Sequence, residues 1–203
     1  MEVWEVVLSS AKKMRAKLAI SALLLLLVLG GNRALAVPAS ISNSLPISSV
    51  PNSLPISSVP TSLSISSVGI KTTLIPLGLD KDGSLSVPET GAVAGWFTGG
   101  PKPGEVGPAV IVAHVDWKGS KGVFFNLRQV RVGESIIVTN SDSKITKFQV
   151  TKVSSVKKDA FPTASVYGDL NYPGLRLVTC ATFDLKTKKY LDNFIVYAKA
   201  IKA

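Results

Sequence analysis

The stretch Leu175-Arg-Leu-Val-Thr-Cys180 decides how this chain is read. It has the length and apolar content of a short buried strand, and it ends on the only cysteine in 203 residues. A second apolar run, Pro108-Ala-Val-Ile-Val-Ala-His114, ends on the only histidine. Two strands that each deliver one reactive side chain at their ends make a Cys–His nucleophile pair. Taken alone, a single cysteine is more often a small, inert core residue, and a single histidine can be a core residue with its hydrogen bonds satisfied.

Outward from these two runs the punctuation is dense. Gly, Pro and Asp cut the chain into short apolar segments. Strands are predicted over Thr72–Leu79, Leu85–Val87, Ala109–Val115, Leu175–Cys180 and Asn193–Ala200. Asp80-Lys-Asp-Gly83 reads as a turn and Thr98–Gly104 as a loop. Ser135–Thr139 and Lys144–Val156 form a hairpin across Asn140–Ser143. One or two helical turns are expected over Val123–Val130, and a short irregular helix over Asp159–Val166. The fold class that follows is all-β: a closed, eight-stranded β-barrel with short helices. An open sandwich has the same composition.

Upstream of this region the chain changes character. Lys12, Lys13, Arg15 and Lys17 precede the apolar run Leu18–Leu29, and Ala34-Leu-Ala36 follows as a small-residue cleavage site. Charge, a short apolar run and small residues in that order mark a secretory signal. The run is shorter than the ~20 residues that span a bilayer. Residues 1–36 are therefore read as a signal peptide, with an uncleaved anchor as the alternative.

Asn43-Ser-Leu-Pro-Ile-Ser-Ser-Val-Pro51 then recurs as Asn52–Pro60, and a third copy reads Thr61-Ser-Leu-Ser-Ile-Ser-Ser-Val-Gly69. Prolines in the first two copies remove backbone donors and favour extended, unpaired chain. Residues 37–60 are expected to be a Ser/Pro-rich linker. The third copy has Ser64 and Gly69 in place of those prolines and can join a sheet, so the folded domain is placed at 61–203.

The formal net charge is +10 and the pI about 9.8. A basic balance favours anionic surroundings such as lipid headgroups or acidic wall polymers. The chain has no dense Lys/Arg block with interleaved aromatics, which argues against nucleic acid. One cysteine allows no internal disulfide, and in an exported protein an unpaired thiol is a liability unless it is used or buried. One His and one Cys cannot build a zinc site, and no cofactor motif is present. No metal or other cofactor is expected.

Several of these segments carry a resemblance. Leu175–Cys180 followed by Phe183-Asp184 and Tyr190-Leu-Asp-Asn193 resembles the sortase family, as do Ala94-Gly-Trp96, Gly107–Asp116 and Val123-Phe-Phe125. Pro76-Leu-Gly-Leu79, Gly83-Ser-Leu-Ser-Val-Pro88 and Asp159-Ala-Phe-Pro162 are similar to its class F branch. The resemblance implies an eight-stranded barrel that acts as a cysteine transpeptidase outside a Gram-positive membrane. Such enzymes cut a C-terminal sorting motif, usually Leu-Pro-x-Thr-Gly, between Thr and Gly. They hold the acyl group as a Cys thioester and pass it to an amine. The implied partners are sorting-signal peptides of surface proteins and an amine acceptor in the cell wall or a pilin. By motif matching, Cys180 is the nucleophile and His114 the general acid/base.

The residue chemistry agrees with that assignment. Peptide transfer without a metal needs a polarisable nucleophile and a group that protonates the leaving amine, and imidazole exchanges protons near neutral pH. Asp116 has two readings, orienting the imidazole or standing in solvent. Thr179, facing away from Cys180, is expected to serve packing or backbone contacts.

One departure stands out. Sortases usually carry an arginine on the final strand, and matching through Tyr190 puts that position at Asn193. An Asn amide can donate to an oxyanion but brings no charge. Lys188, Lys189, Arg128 and Arg131 are other candidate cations. Arg176 shares the face of Cys180 but lies about 13 Å back along the strand. With the arginine missing, a hydrolase that releases acyl groups to water and a non-catalytic wall-binding barrel are the alternatives to a transpeptidase. Val87-Pro-Glu-Thr-Gly91 looks like a sorting motif, yet it precedes the predicted core strands and is read as turn chemistry.

Overall fold

A computed structural model describes residues 58–202. The secretory signal and most of the repeat linker lie outside the described residues. Ten strands are present: β1 (Pro60–Ile65), β2 (Ile70–Leu77), β3 (Ala94–Phe97), β4 (Gly107–Val112), β5 (Asp116–Trp117), β6 (Ser120–Lys121), β7 (Ser135–Asn140), β8 (Ile145–Lys157), β9 (Pro173–Asp184) and β10 (Lys189–Ala200). Eight of them close into a barrel in the order β1-β2-β3-β4-β9-β10-β8-β7, with β7 pairing back onto β1. The remaining two, β5 and β6, form a small hairpin of their own. The open sandwich is thereby excluded.

The barrel is mixed: β2–β3 and β4–β9 are parallel, and the other neighbouring pairs are antiparallel. Strand β1 takes in Pro60, one residue upstream of Thr61. Ser58 and Val59 are tied to the β7–β8 turn through Asp142 and Ser141.

Period-two alternation sorts side chains between two apolar layers. Leu63 and Ile65 of β1, Leu175, Leu177 and Ala181 of β9, and Phe194 and Val196 of β10 fill the barrel with Phe124 and Phe148. The even residues of β9 point outward. Val178 joins Val110, Val112, Ile195 and Tyr197 in a second layer on the outer wall, covered by Phe161 and Val166. Val166 belongs to the single α-helix among the described residues, α1 (Thr163–Tyr167). Because β4 and β9 are covered on both faces, they lose the polar alternation of a half-exposed strand and read as continuous apolar runs.

Arg176 serves this outer layer. Its Nε donates to Ser165 O of α1 at 3.1 Å, its Nη1 donates to Leu175 O at 3.1 Å, and its guanidinium lies 4.8 Å from the Tyr197 ring centroid. The cation therefore clamps α1 to the wall and is not available further along the strand.

Some sequence expectations take a different form here. Leu85 makes only an isolated bridge with Leu79 in place of a strand, and the helical turns over 123–130 condense to a 3-10 turn, Phe125–Gln129. Strand β3 was not anticipated. It has four residues, all buried, and is fixed by its neighbours β2 and β4 rather than by any pattern of its own. Leu177, fully buried in the barrel, tests the core: Leu177→Ala should lower unfolding free energy by about 2–5 kcal/mol in urea titrations. A loss under about 1 kcal/mol would mean that the interior is not close-packed there.

Candidate active site

The parallel pairing of β4 with β9 places Val112 beside Val178. One step further, Ala113 N donates to Val178 O at 3.3 Å and Thr179 Oγ1 donates to Ala113 O at 2.8 Å. Thr179 thus pins the end of one strand to the other, as its inward, fully buried position allows. The next residues, His114 and Cys180, leave adjacent strands at the same end. Both line one cleft of about 980 Å³.

The loop after β4 holds the imidazole. Phe124 N donates to His114 O at 3.1 Å, and Gly122 N to Val115 O at 3.0 Å. A Cβ on Gly122 would stand 2.3 Å from His114 O, so only glycine allows this approach. His114 Nε2 donates to Pro88 O at 2.8 Å, and its ring lies 4.6 Å from that of Trp117. Among the described residues no hydrogen bond joins His114 to Cys180. In an unliganded site such contacts are often long and tighten only with substrate bound.

Cys180 is almost wholly buried, at 8% exposure. Burial pushes its thiol up to about 11; the charge of Lys158 pulls it down, and Asp116 pushes it further up. Asp116 turns toward Tyr190, whose hydroxyl donates to its carboxylate. Burial and that bond raise the Tyr190 phenol. Of the two readings of Asp116, the exposed acid is the nearer: the residue is exposed, makes no hydrogen bond to His114 among the described residues, and accepts from Tyr190.

Asn193 is the direct cross-strand partner of Cys180. Opposed residues share a sheet face, so both project outward from the barrel. Asn193 is fully buried just behind the cleft lining, and its side-chain nitrogen and oxygen have no hydrogen-bond partner among the described residues.

None of the other cations weighed from sequence lines the cleft. Arg176 is held on α1, Arg131 caps the carbonyls of Arg128, Gln129 and Val130, and Lys189 pairs in register with Asp184 near the β9–β10 turn. Lys158, not singled out from sequence, is the cation whose charge acts on the Cys180 thiol. Alternation along β8 was the only signal that would have found it.

Val87–Gly91 belongs to the cleft. Val87, Glu89 and Thr90 line it, Pro88 O receives His114, and Gly91 O accepts from Val123 N at 2.8 Å. The stretch read as turn chemistry is thus part of the site wall. Four carboxylates, Asp80, Asp82, Glu89 and Asp116, line the cleft without a lysine or arginine. Among the described residues, no group of three or more His, Cys, Asp or Glu is placed to hold a metal ion.

Comparisons with known proteins agree with the architecture. The model of the sortase domain family matches residues 63–201. Among solved structures, the chain is similar to a lid mutant of sortase A from Corynebacterium diphtheriae (21% identity, TM-score 0.57, 71% of this chain and 71% of that one). It is also similar to a sortase D5 transpeptidase from Clostridium perfringens (22% identity, TM-score 0.54, 71% and 79%). A third is sortase C2 of pilus island 1 from Group B Streptococcus (19% identity, TM-score 0.55, 70% and 73%). At these identities the likeness concerns the fold. Comparison with curated proteins gives no match.

A thiol held up at about 11 is protonated at neutral pH. Its folded value lies above the unfolded one, ~8.5. Its contribution to stability is therefore present below that value and is lost as pH rises toward the folded one. Alkylation of native protein by iodoacetamide should be slow near neutral pH, rise about tenfold per pH unit, and level off only near pH 11. A plateau already reached at neutral pH would contradict the burial argument.

Proposed function

Because the chain belongs to the sortase family, we propose that it is a cysteine transpeptidase in which Cys180 is the nucleophile and His114 the general acid and base. The observation that carries this reading is the delivery of both side chains into one cleft by the paired strands β4 and β9. The substrate is a sorting-signal peptide of the Leu-Pro-x-Thr-Gly type, and the acceptor is an amine of the cell wall or a pilin. The similarity of Pro76–Leu79, Gly83–Pro88 and Asp159–Pro162 to the class F branch supports a class F-like enzyme. The basic and apolar segments of residues 1–36 support export, with the repeat segment as a tether outside the membrane.

In this mechanism His114 takes the Sγ proton and the sulfur lone pair attacks the threonyl carbonyl. The carbonyl π pair moves onto oxygen. As the tetrahedral adduct collapses, the C–N bond breaks and His114 returns the proton to the leaving amine, leaving a thioester on Cys180. An incoming amine reverses the sequence and frees the thiol. Asn193 Nδ2, buried beside Cys180 and without a partner among the described residues, is the donor to the anionic oxygen.

Purified protein mixed with a Leu-Pro-x-Thr-Gly peptide and a small amine tests the reading. Transfer product identifies a transpeptidase, free acid alone a hydrolase, and neither a binding barrel. Cys180→Ala should abolish turnover and thioester trapping with the fold intact, and His114→Ala should also collapse the rate. Normal transfer by Cys180→Ala would sink the mechanism.

Asn193 is tested separately. Loss of one oxyanion donor costs ~10²–10³-fold in rate, so Asn193→Ala should lower kcat strongly with little change in KM. Asn193→Arg should retain or raise activity. Parent-like kinetics for Asn193→Ala would remove the residue from the mechanism.

A further inference from the structure

Three strands run side by side behind the cleft. Their register sets Val156 of β8 against Asn193 of β10, and Asn193 against Cys180 of β9. Directly opposed residues share a face, so the three form one row across the outer wall. Val156 packs against the outer apolar layer, as that placement requires.

Lys158 lies two residues past Val156. The backbone between them is extended, with Lys157 at φ −62° and ψ 147°. Alternation therefore returns Lys158 to the face that carries Cys180. There the 3-10 turn Lys158–Ala160 packs onto β10, and Lys158 is half-buried.

We propose that the Lys158 ammonium is the counter-charge of the Cys180 thiolate, filling in this chain the electrostatic place left by the absent arginine. The proposal rests on the reading of Cys180 as nucleophile. The groups around the sulfur come from four elements. Lys158, after β8, favours the ionised form and Asp116, on β5, opposes it. Burial lowers the basicity of the Lys158 ammonium, the charges of Cys180 and of Asp192, on β10, raise it, and Lys189 lowers it. His114, after β4, and Tyr190, on β10, line the cleft with the sulfur. Lys158 is thus a cation that acts on the thiol from behind a cleft whose charged lining residues are carboxylates.

The step concerned is a proton transfer. The Sγ proton moves to the imidazole, its electron pair stays on sulfur, and no bond to carbon forms or breaks. Lys158 lowers the energy of the thiolate that results and does not touch the carbonyl. A nearby opposite charge shifts a titrating group by about one unit or more, and one unit is a tenfold change in the thiolate fraction.

The test is iodoacetamide alkylation of the full-length protein across pH, with Lys158→Met and Lys158→Arg compared with the parent. Met keeps the apolar stem and removes the charge. It should cut the alkylation rate by about tenfold at neutral pH, where Lys158 carries its charge, and the two profiles should converge at high pH, where the parent's ammonium, its basicity lowered by burial, has lost its proton. Arg should restore the neutral-pH rate within about threefold. A purely structural role would not slow alkylation at neutral pH and leave the high-pH rate in place.

A Lys158→Met profile that superimposes on the parent, or one that Lys158→Arg fails to restore, overturns the proposal. Should Met prevent folding, Lys158→Gln gives the same comparison. Alkylation needs no peptide. Absence of transfer by the parent therefore counts against the proposed function, whereas an unchanged neutral-pH alkylation rate counts against Lys158.

Discussion

The parallel seam between β4 and β9 is the constraint on which the site depends. These strands are far apart in sequence, and nothing local brings their ends together. Six register pairs, from Gly107–Pro173 to Val112–Val178, and the Thr179–Ala113 hydrogen bond at 2.8 Å set where both chains leave the wall. A slip of one residue would turn either His114 or Cys180 into the barrel interior. The two apolar layers guard against that slip, because each would have to exchange residues with the other. Folding energy and site geometry are here the same set of contacts.

Coverage on both faces has a chemical consequence. The outer layer that stabilises β9 also buries the end of that strand, so the thiol stands in a poorly solvated position. Desolvation disfavours the charged form, and the Asp116 carboxylate acts in the same direction. The positive charge of the chain as a whole, +10, does nothing for the sulfur, since exposed charges beyond about 10 Å are screened at ordinary ionic strength. What matters is a cation brought close by pairing. Arg176, on the correct face, is spent on Ser165 and Tyr197, which leaves Lys158 as the group that the register brings near.

Much of this was legible in the chain itself. Leu175–Cys180 and Pro108–His114 announce buried strands by their apolar runs, and motif order put Asn193 on the final strand, where the register sets it opposite the cysteine. Other features were hidden for a physical reason: they exist only across strands. Strand β3 is four residues long and too short for any period to show. Lys158 sits in an ordinary run of polar residues, and its relation to Cys180 passes through β10. Val87–Gly91 carries turn residues, as its sequence suggests, but its closeness to His114 comes from the β2–β3 connection folding over the β4 end. Arg176 has the face that alternation assigns it, while its partner α1 could not be placed against the wall from sequence.

Two adjustments separate the resting site from a reacting one, and their sizes differ. His114 must exchange Pro88 O for a reacting group. A hydrogen bond of that kind contributes about 0.5–1.5 kcal/mol net, and a substrate that offers an equivalent partner recovers most of it. Ionising the thiol is the larger demand. The gap between about 11 and a neutral pH of about 7 corresponds to roughly 5 kcal/mol. The contact with Pro88 is therefore a minor gate, and the proton on Cys180 the major one. Any group that shifts the thiol equilibrium acts on the larger of the two terms, which is why the electrostatics behind the cysteine weigh more on the rate than the loop in front of the histidine.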